Sequence, residues 1–335
     1  MKAETQPLID NFDRQVSYLR LSVTDRCDLR CTYCMPERMQ FLPKAEVLSL
    51  EELAQVSSGF IDRGIRKIRL TGGEPLVRRD VMQLVKVLGQ KIGNGLDELT
   101  LTTNGTRLTE FADQIAGAGV MRVNISLDTL DGDIFARMTR RDCLPQVLAG
   151  IDAARKAGLR VKLNTVALKG VNEHEIPKLI AWAHSQDCDI TLIETMPLGV
   201  VDEDRTEHYL PLPVVQDALE KMWTLAPSSH SSGGPARYFD IAQTGGRLGL
   251  ITPLTNNFCA SCNRVRVTAT GQLYPCLGGG ERVDLRAALR SNDPRAKLDS
   301  ALDEAMRIKP ERHHFAIAAA GAEPALARHM SMTGG

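Results

Sequence analysis

Apolar positions along the first two-thirds of the chain alternate between two periods. Short runs rich in Val, Ile, Leu and Thr recur at Tyr18–Val23, Lys67–Thr71, Glu98–Thr103, Arg122–Leu127, Arg160–Leu168 and Asp189–Glu194, and they read as strands. Between them, segments near 51–63, 80–91, 108–118, 145–157 and 174–185 carry apolar residues at helical spacing. Ser49 with Glu52 three residues on predicts a capping box ahead of Leu53 and Val56. Gly64, Gly117, Gly119 and Gly158 stand where helices should stop.

Repeated strand–helix units imply a parallel sheet, either a partial barrel or an open doubly wound sheet. Periodicity alone does not choose between them, but the placement of unusual residues does. The Cys27 loop, Gly72-Gly73-Glu74-Pro75, Asn104-Gly105, Asp128 and Met196-Pro197 each follow the end of a predicted strand. Barrel active sites gather at the C-terminal strand ends, so one shared mouth is the economical reading. After about Leu225 the texture changes. Ser228–Pro235 reads as a connector, Arg247–Thr252 and Arg264–Thr268 as short strands, and Gly271-Gln272 as a hairpin turn into Tyr274 and Cys276. We therefore expect a division into residues 1–225 and residues 226–335.

Composition adds limits. The chain has 335 residues, 43% of them hydrophobic, which is enough for a sizeable core. Lys+Arg and Asp+Glu are both 41, so no whole-protein field draws it to nucleic acid or an anionic membrane. Met1–Gln15 has no apolar signal-peptide core and no stretch is long and apolar enough for a transmembrane helix, so a cytoplasmic protein is expected. Of eight cysteines, six form two groups, Cys27/Cys31/Cys34 and Cys259/Cys262/Cys276. In a reducing compartment such grouping points to metal ligation, whereas Cys143 and Cys188 read as small buried hydrophobes.

The first group is C-x3-C-x2-C in the loop after the first strand. Three thiolates anchor three irons of a 4Fe–4S cluster and leave the fourth iron open to an amino-carboxylate ligand. S-adenosylmethionine (SAM) offers such a ligand, with a sulfonium that one electron can split to a 5′-deoxyadenosyl radical. Structural zinc is the competing reading, but it wants four ligands in paired C-x2-C spacing. The second group, C-x2-C-x13-C, is less decisive: a second open-iron cluster, or a zinc knuckle completed by a distant His230 or His313. Arg264 and Arg266 alternate on one presumed strand, Lys67 and Arg69 on another, and Arg20 lies on the first. Five cations converging near two clusters would suit a triphosphate.

The Cys27 group, with Tyr33 and the Gly-Gly-Glu-Pro segment, resembles the radical SAM superfamily. Taken with 19–36, 67–80, LTTNG at 101–105, NISLD at 124–128, the second triad and Gly334-Gly335, the chain is similar to the MoaA family of GTP 3′,8-cyclases of molybdenum-cofactor biosynthesis. The resemblance implies an incomplete (β/α)6 TIM-like barrel whose open side is closed by the C-terminal segment. It implies a lyase with two 4Fe–4S clusters and SAM. Cys27, Cys31 and Cys34 would be the catalytic set, with Tyr33, Gly73, Glu74, Thr102, Ser126, Lys162 and Met196 at the cofactor. Arg20, Lys67, Arg69, Arg264 and Arg266 would hold GTP, while Cys259, Cys262 and Cys276 carry the second cluster. The adenosyl radical would take the C3′ hydrogen, and the C3′ radical would attack C8, giving 3′,8-cyclo-7,8-dihydro-GTP. Further implied partners are a reducing electron donor and a downstream pyranopterin-forming enzyme; a homodimer remains open. The Gly-Gly tail is expected to reach the barrel mouth. One position departs from the family: Thr191 stands where relatives often carry Arg. The runner-up is a peptide-modifying radical SAM enzyme with an auxiliary cluster, which would call for more C-terminal cysteines. A non-catalytic iron–sulfur or zinc protein would leave Gly72–Pro75 and the cationic strands unexplained.

Overall fold

The computed structural model describes residues 6–202, 206–313, 315 and 325–334. The capping box forms as expected: Glu52 N–H donates to Ser49 Oγ at 3.1 Å, and Ser49 N–H donates back to the Glu52 carboxylate at 2.8 Å. It starts α1 (Leu50–Asp62), whose Leu53, Val56, Phe60 and Ile61 are buried. α1 follows β1 (Tyr18–Ser22) and precedes β2 (Lys67–Thr71). The alternation continues through α2 (Val81–Gly89), β3 (Glu98–Thr103), α3 (Leu108–Gly117), β4 (Arg122–Ser126), α4 (Gly132–Thr139), α5 (Leu144–Lys156), β5 (Arg160–Ala167), α6 (Ile176–Ser185) and β6 (Asp189–Glu194). All six strands are parallel and pair in sequence order.

Alternation along these strands divides two environments. Leu19, Leu21, Ile68, Leu70, Leu99, Leu101, Val123, Ile125, Leu163, Ile190 and Leu192 are buried in the core that packs the helices. The intervening residues Arg20, Arg69, Thr102, Ser126, Lys162 and Asn164 line the interior. A barrel filled only by its own apolar side chains would have no reason to hold these groups.

The C-terminal region extends the same sheet at both edges. β7 (Leu225–Pro227), β8 (Arg237–Ile241) and β9 (Arg247–Ile251) lie beyond β6, with β9 parallel to it. The chain then crosses to the opposite edge, where β10 (Arg264–Val267) pairs parallel with β1. β11 (Gln272–Tyr274) and β12 (Val283–Asp284) follow antiparallel. The result is one open sheet of 12 strands, in the order β12-β11-β10-β1-β2-β3-β4-β5-β6-β9-β8-β7. The partial barrel is thus as expected, but its open side is not sealed by strand pairing. C-terminal residues cover the mouth with side chains instead, among them Cys259, Cys276, His313 and Met330. Among the described residues no helix is long and apolar enough to cross a membrane.

Candidate active site

The loop leaving β1 carries the first triad. Cys34 and Met35 N–H groups both donate to the Cys31 carbonyl, at 2.9 and 3.2 Å, which curls the loop. Its outer strand is held by α4: Arg30 N–H donates to Thr139 O and Thr32 N–H to Met138 O, each at 2.9 Å. This short helix, capped by Asp131, escapes the sequence reading because about two turns beginning at Gly132 offer little periodicity. Tyr33 donates its hydroxyl to Asp128 Oδ2 at 2.7 Å, and Asp128 also accepts from Val166 N–H. Burial raises Asp128 to about 6, against the pull of those two hydrogen bonds.

Gly72 and Gly73 bring the end of β2 against this loop. Gly73 N–H donates to Thr24 O at 2.9 Å and Glu74 N–H to Arg26 O at 2.8 Å. A Cβ on Gly73 would stand 2.3 Å from the Arg26 carbonyl oxygen, so only glycine permits the approach. Glu74 is placed apart from the lining residues. Its carboxylate is buried and does not face the cavity; it accepts from Leu76 N–H, Thr103 Oγ1 and Asn104 N–H. Glu74 thus braces the ends of β2 and β3. Asn104 passes that order to the triad, since its Nδ2 donates to Asp28 Oδ1 at 2.7 Å and lies 3.8 Å from Cys27 Sγ.

The cations fall into register. Arg20 on β1 aligns with Arg69 on β2 and Arg266 on β10, while Tyr18 aligns with Lys67 and Arg264. All four arginines line the cavity. Burial lowers Arg20 to about 9, with Tyr18 opposing and Arg69 and Arg264 adding to the fall. Burial, then Arg20 and Arg264, push Arg266 well below its ordinary value. Burial, then Arg69 and Arg122, do the same to Lys162. Such a cluster is stabilised by whatever brings negative charge. Lys67 is not among the lining residues; it pairs with Glu98 at 2.7 Å and donates to the Ser232 carbonyl. Lys162 donates to Tyr238 Oη at 2.6 Å, a partner not foreseen.

Cys259, Cys262 and Cys276 face the same cavity, of about 280 Å³, as Cys27, Cys31 and Cys34. Gly73, Thr102, Ser126, Met196 and Tyr33 complete the predicted lining. The tail also arrives: Met330 and Ser331 line the cavity, and Arg266 Nη1 donates to the carbonyls of Thr333 and Gly334. Gly335 lies outside the described residues. Residues not foreseen include Glu194, fully buried, which accepts from Leu212, Leu254 and Thr255 N–H groups and fixes the turn after β9.

These residues fit the implied groups. All six thiols are free of disulfides. Burial, then Glu74, hold Cys27 well above the ordinary thiol value, so binding to iron would supply the driving force for its ionisation. Burial also raises Cys262, but Arg264, Lys309, a backbone hydrogen bond at Arg264 and Arg14 all lower it, and the net leaves that thiol below the ordinary value. Among the described residues no three His, Cys, Asp or Glu side chains are placed to hold a single metal ion. Thr102 Oγ1 and Arg69 Nε are buried with no hydrogen-bond partner among the described residues, as donors awaiting a polar ligand would be.

A partial barrel with a three-thiol loop at the first strand end defines a radical SAM protein, and the family models agree. The Radical SAM superfamily model matches residues 21–183, and the Molybdenum Cofactor Synthesis C model matches 188–315. The GTP 3′,8-cyclase of Erythrobacter litoralis is 71% identical over 328 residues, 98% of each chain. That of Rhizobium etli is 58% identical over 335 residues, covering 100% of this chain and 96% of the relative. The chain belongs to the GTP 3′,8-cyclase family. Among solved structures, Streptococcus suis SuiB bound to S-adenosylmethionine superposes with a TM-score of 0.64 at 15% identity, over 91% of this chain and 68% of that one. Native anSMEcpe with bound AdoMet gives 0.55 at 15%, over 83% and 82%. At such identity these neighbours speak for the fold alone.

Proposed function

We propose that Cys27, Cys31 and Cys34 hold the 4Fe–4S cluster that binds SAM, and that Cys259, Cys262 and Cys276 hold a second cluster whose open iron takes the guanine of GTP. The reaction is conversion of GTP to 3′,8-cyclo-7,8-dihydro-GTP, the first step of molybdenum-cofactor biosynthesis. The observation that carries this assignment is that both triads line one cavity together with Arg20, Arg69, Arg264 and Arg266. When bound, the first cluster and SAM together supply the 5′-deoxyadenosyl radical that takes hydrogen from the substrate. The protein's own residues do the rest. Gly73, Thr102, Ser126 and Met196 shape the SAM side, with Thr102 Oγ1 a free donor there. Tyr33, fixed by Asp128, holds the cysteine loop, and the arginines orient the triphosphate through forked contacts. Lys162 lines the same cavity, and Lys67 acts through Glu98 and the Ser232 carbonyl.

Residues 1–225 thus form the SAM-cleaving part, and 226–335 supply the substrate-binding cluster and tail. The proposal includes a reducing electron donor, a downstream pyranopterin-forming enzyme and a cytoplasmic location. Anaerobically reconstituted protein should hold about eight irons and convert GTP, but not other nucleotides, in the presence of SAM and reductant. Four irons, or turnover indifferent to the nucleotide, would reject the assignment.

A further inference from the structure

Lys309 follows the helix Pro294–Arg307 and is only 3% exposed. Among the described residues no carboxylate forms an ion pair with it. Its ammonium donates to the Pro275 carbonyl at 2.9 Å and to the Arg264 carbonyl at 3.3 Å, and lies 3.7 Å from Cys262 Sγ. Pro275 immediately precedes Cys276, and Arg264 lies two residues past Cys262. One buried cation therefore joins the chain at both ends of the second triad. Arg14 makes an instructive contrast. It too is buried and donates to a triad carbonyl, that of Cys259 at 2.8 Å, but Asp10 neutralises it at 2.7 Å. A buried ammonium bonded only to neutral carbonyls is costly unless negative charge stands close by. Among the described residues, the Cys262 sulfur at 3.7 Å is placed to supply it.

We propose that Lys309 is a positioning residue of the second cluster, supplying the fixed positive charge that offsets its thiolates and pinning the Cys262 strand to the Cys276 turn. This rests on the assignment of the second triad to a cluster. A positive charge beside a cluster favours its reduced, more negative state, so the charge and the potential are linked. In that role Lys309 touches neither GTP nor SAM; it acts through the ligands.

The test uses full-length, anaerobically reconstituted protein, comparing wild type with Lys309→Met and Lys309→Arg. Iron content and redox titration followed by electron paramagnetic resonance report on each cluster separately. The methionine variant should show the second cluster's midpoint shifted to more negative potential with the first cluster's unchanged, and the arginine variant should recover most of that shift. A methionine variant holding both clusters at wild-type potentials would overturn the proposal and reduce Lys309 to packing. If methionine costs the protein its second cluster, the arginine variant decides: a restored cluster supports the charge, and a cluster lost in both refutes it. Wild-type protein with only about four irons would instead overturn the second cluster itself, a separate failure seen before any variant is made.

Discussion

Replacing Gly73 by Ala should release the first cysteine loop from the sheet. The new methyl would stand 2.3 Å from the Arg26 carbonyl oxygen, 2.6 Å from its carbon and 2.8 Å from the Asp25 oxygen. Ordinary contact begins at 3.4 Å, so backbone must move by about 1 Å, and no flexible side chain is there to yield. Two bonds cross this joint, Gly73 N–H to Thr24 O at 2.9 Å and Glu74 N–H to Arg26 O at 2.8 Å. Losing each costs about 1 kcal/mol net, and the overpacking adds roughly 1–3 kcal/mol. The total is about 3–5 kcal/mol, with the damage concentrated at the residues that lead into Cys27. Urea unfolding gives the stability, and iron content with 5′-deoxyadenosine yield gives the state of the loop. Gly117→Ala is the control: it lies at the end of α3 with no atom within 4 Å of an added Cβ. There alanine should gain roughly 0.5–1 kcal/mol through helix propensity. A Gly73→Ala protein as stable as wild type, with full iron and full SAM cleavage, would refute the close-approach argument.

The remaining predictions concern separate parts of the site. Cys27→Ser, Cys31→Ser or Cys34→Ser should abolish 5′-deoxyadenosine formation, whereas serine at 259, 262 or 276 should leave uncoupled SAM cleavage and no cyclised product; liquid chromatography of both products tests this. Glu74→Gln should place an amide N–H against the Asn104 N–H and cost about 1–3 kcal/mol. Burial raises Glu74 from 4.5 to about 7. The folded protein holds this proton more tightly, so the associated stability is complete below about pH 4.5 and lost as pH rises through 7. Urea melts across that window should show the fall in wild type and its absence in the glutamine variant. Deleting Gly334 and Gly335 should spare SAM cleavage but lower GTP conversion at least about tenfold, or roughly 1.4 kcal/mol of transition-state stabilisation. Equal product yield from the truncated protein would make the tail ordinary slack.

The six barrel strands were legible because each is a short apolar run followed by a residue of unusual chemistry, and their observed bounds differ little from the expected ones. The triads were legible from their cysteine spacing, and the cationic row because alternation along a strand fixes which residues share a face. α4 was not, and neither was its grip on the loop through Thr139 and Met138, because carbonyl acceptors leave no mark in side-chain pattern. Glu74 was assigned to the cofactor from motif position, and Lys67 to the substrate from its alternation with Arg69 on one strand. The sequence contains their partners, Asn104 and Glu98, but gives no sign that these would claim them first. Lys309 and Arg14 were invisible for a similar reason: each acts on a cysteine loop far away in the chain.

Thr191 joins these details into one account of the mouth. It is fully buried on β6 beside Gly249 of β9, where a family Arg would bring a further charge. A Cβ on Gly249 would meet Thr191 Oγ1 at 2.7 Å and Tyr238 Cε1 at 3.0 Å, so all three share one tight corner. Small residues at 191 and 249 leave that corner to Tyr238, whose hydroxyl accepts from Lys162 and donates to Ser232 Oγ. The Ser232 carbonyl in turn takes Lys67. The connector between β7 and β8 is thereby tied to two cationic strands, much as the tail is tied to Arg266 by its carbonyls. In both places a backbone oxygen or hydroxyl occupies a cation. A triphosphate entering this cavity exchanges weak neutral acceptors for charge-assisted ones. Under the proposed assignment, the connector and the tail are the segments whose contacts a bound triphosphate would have to rearrange.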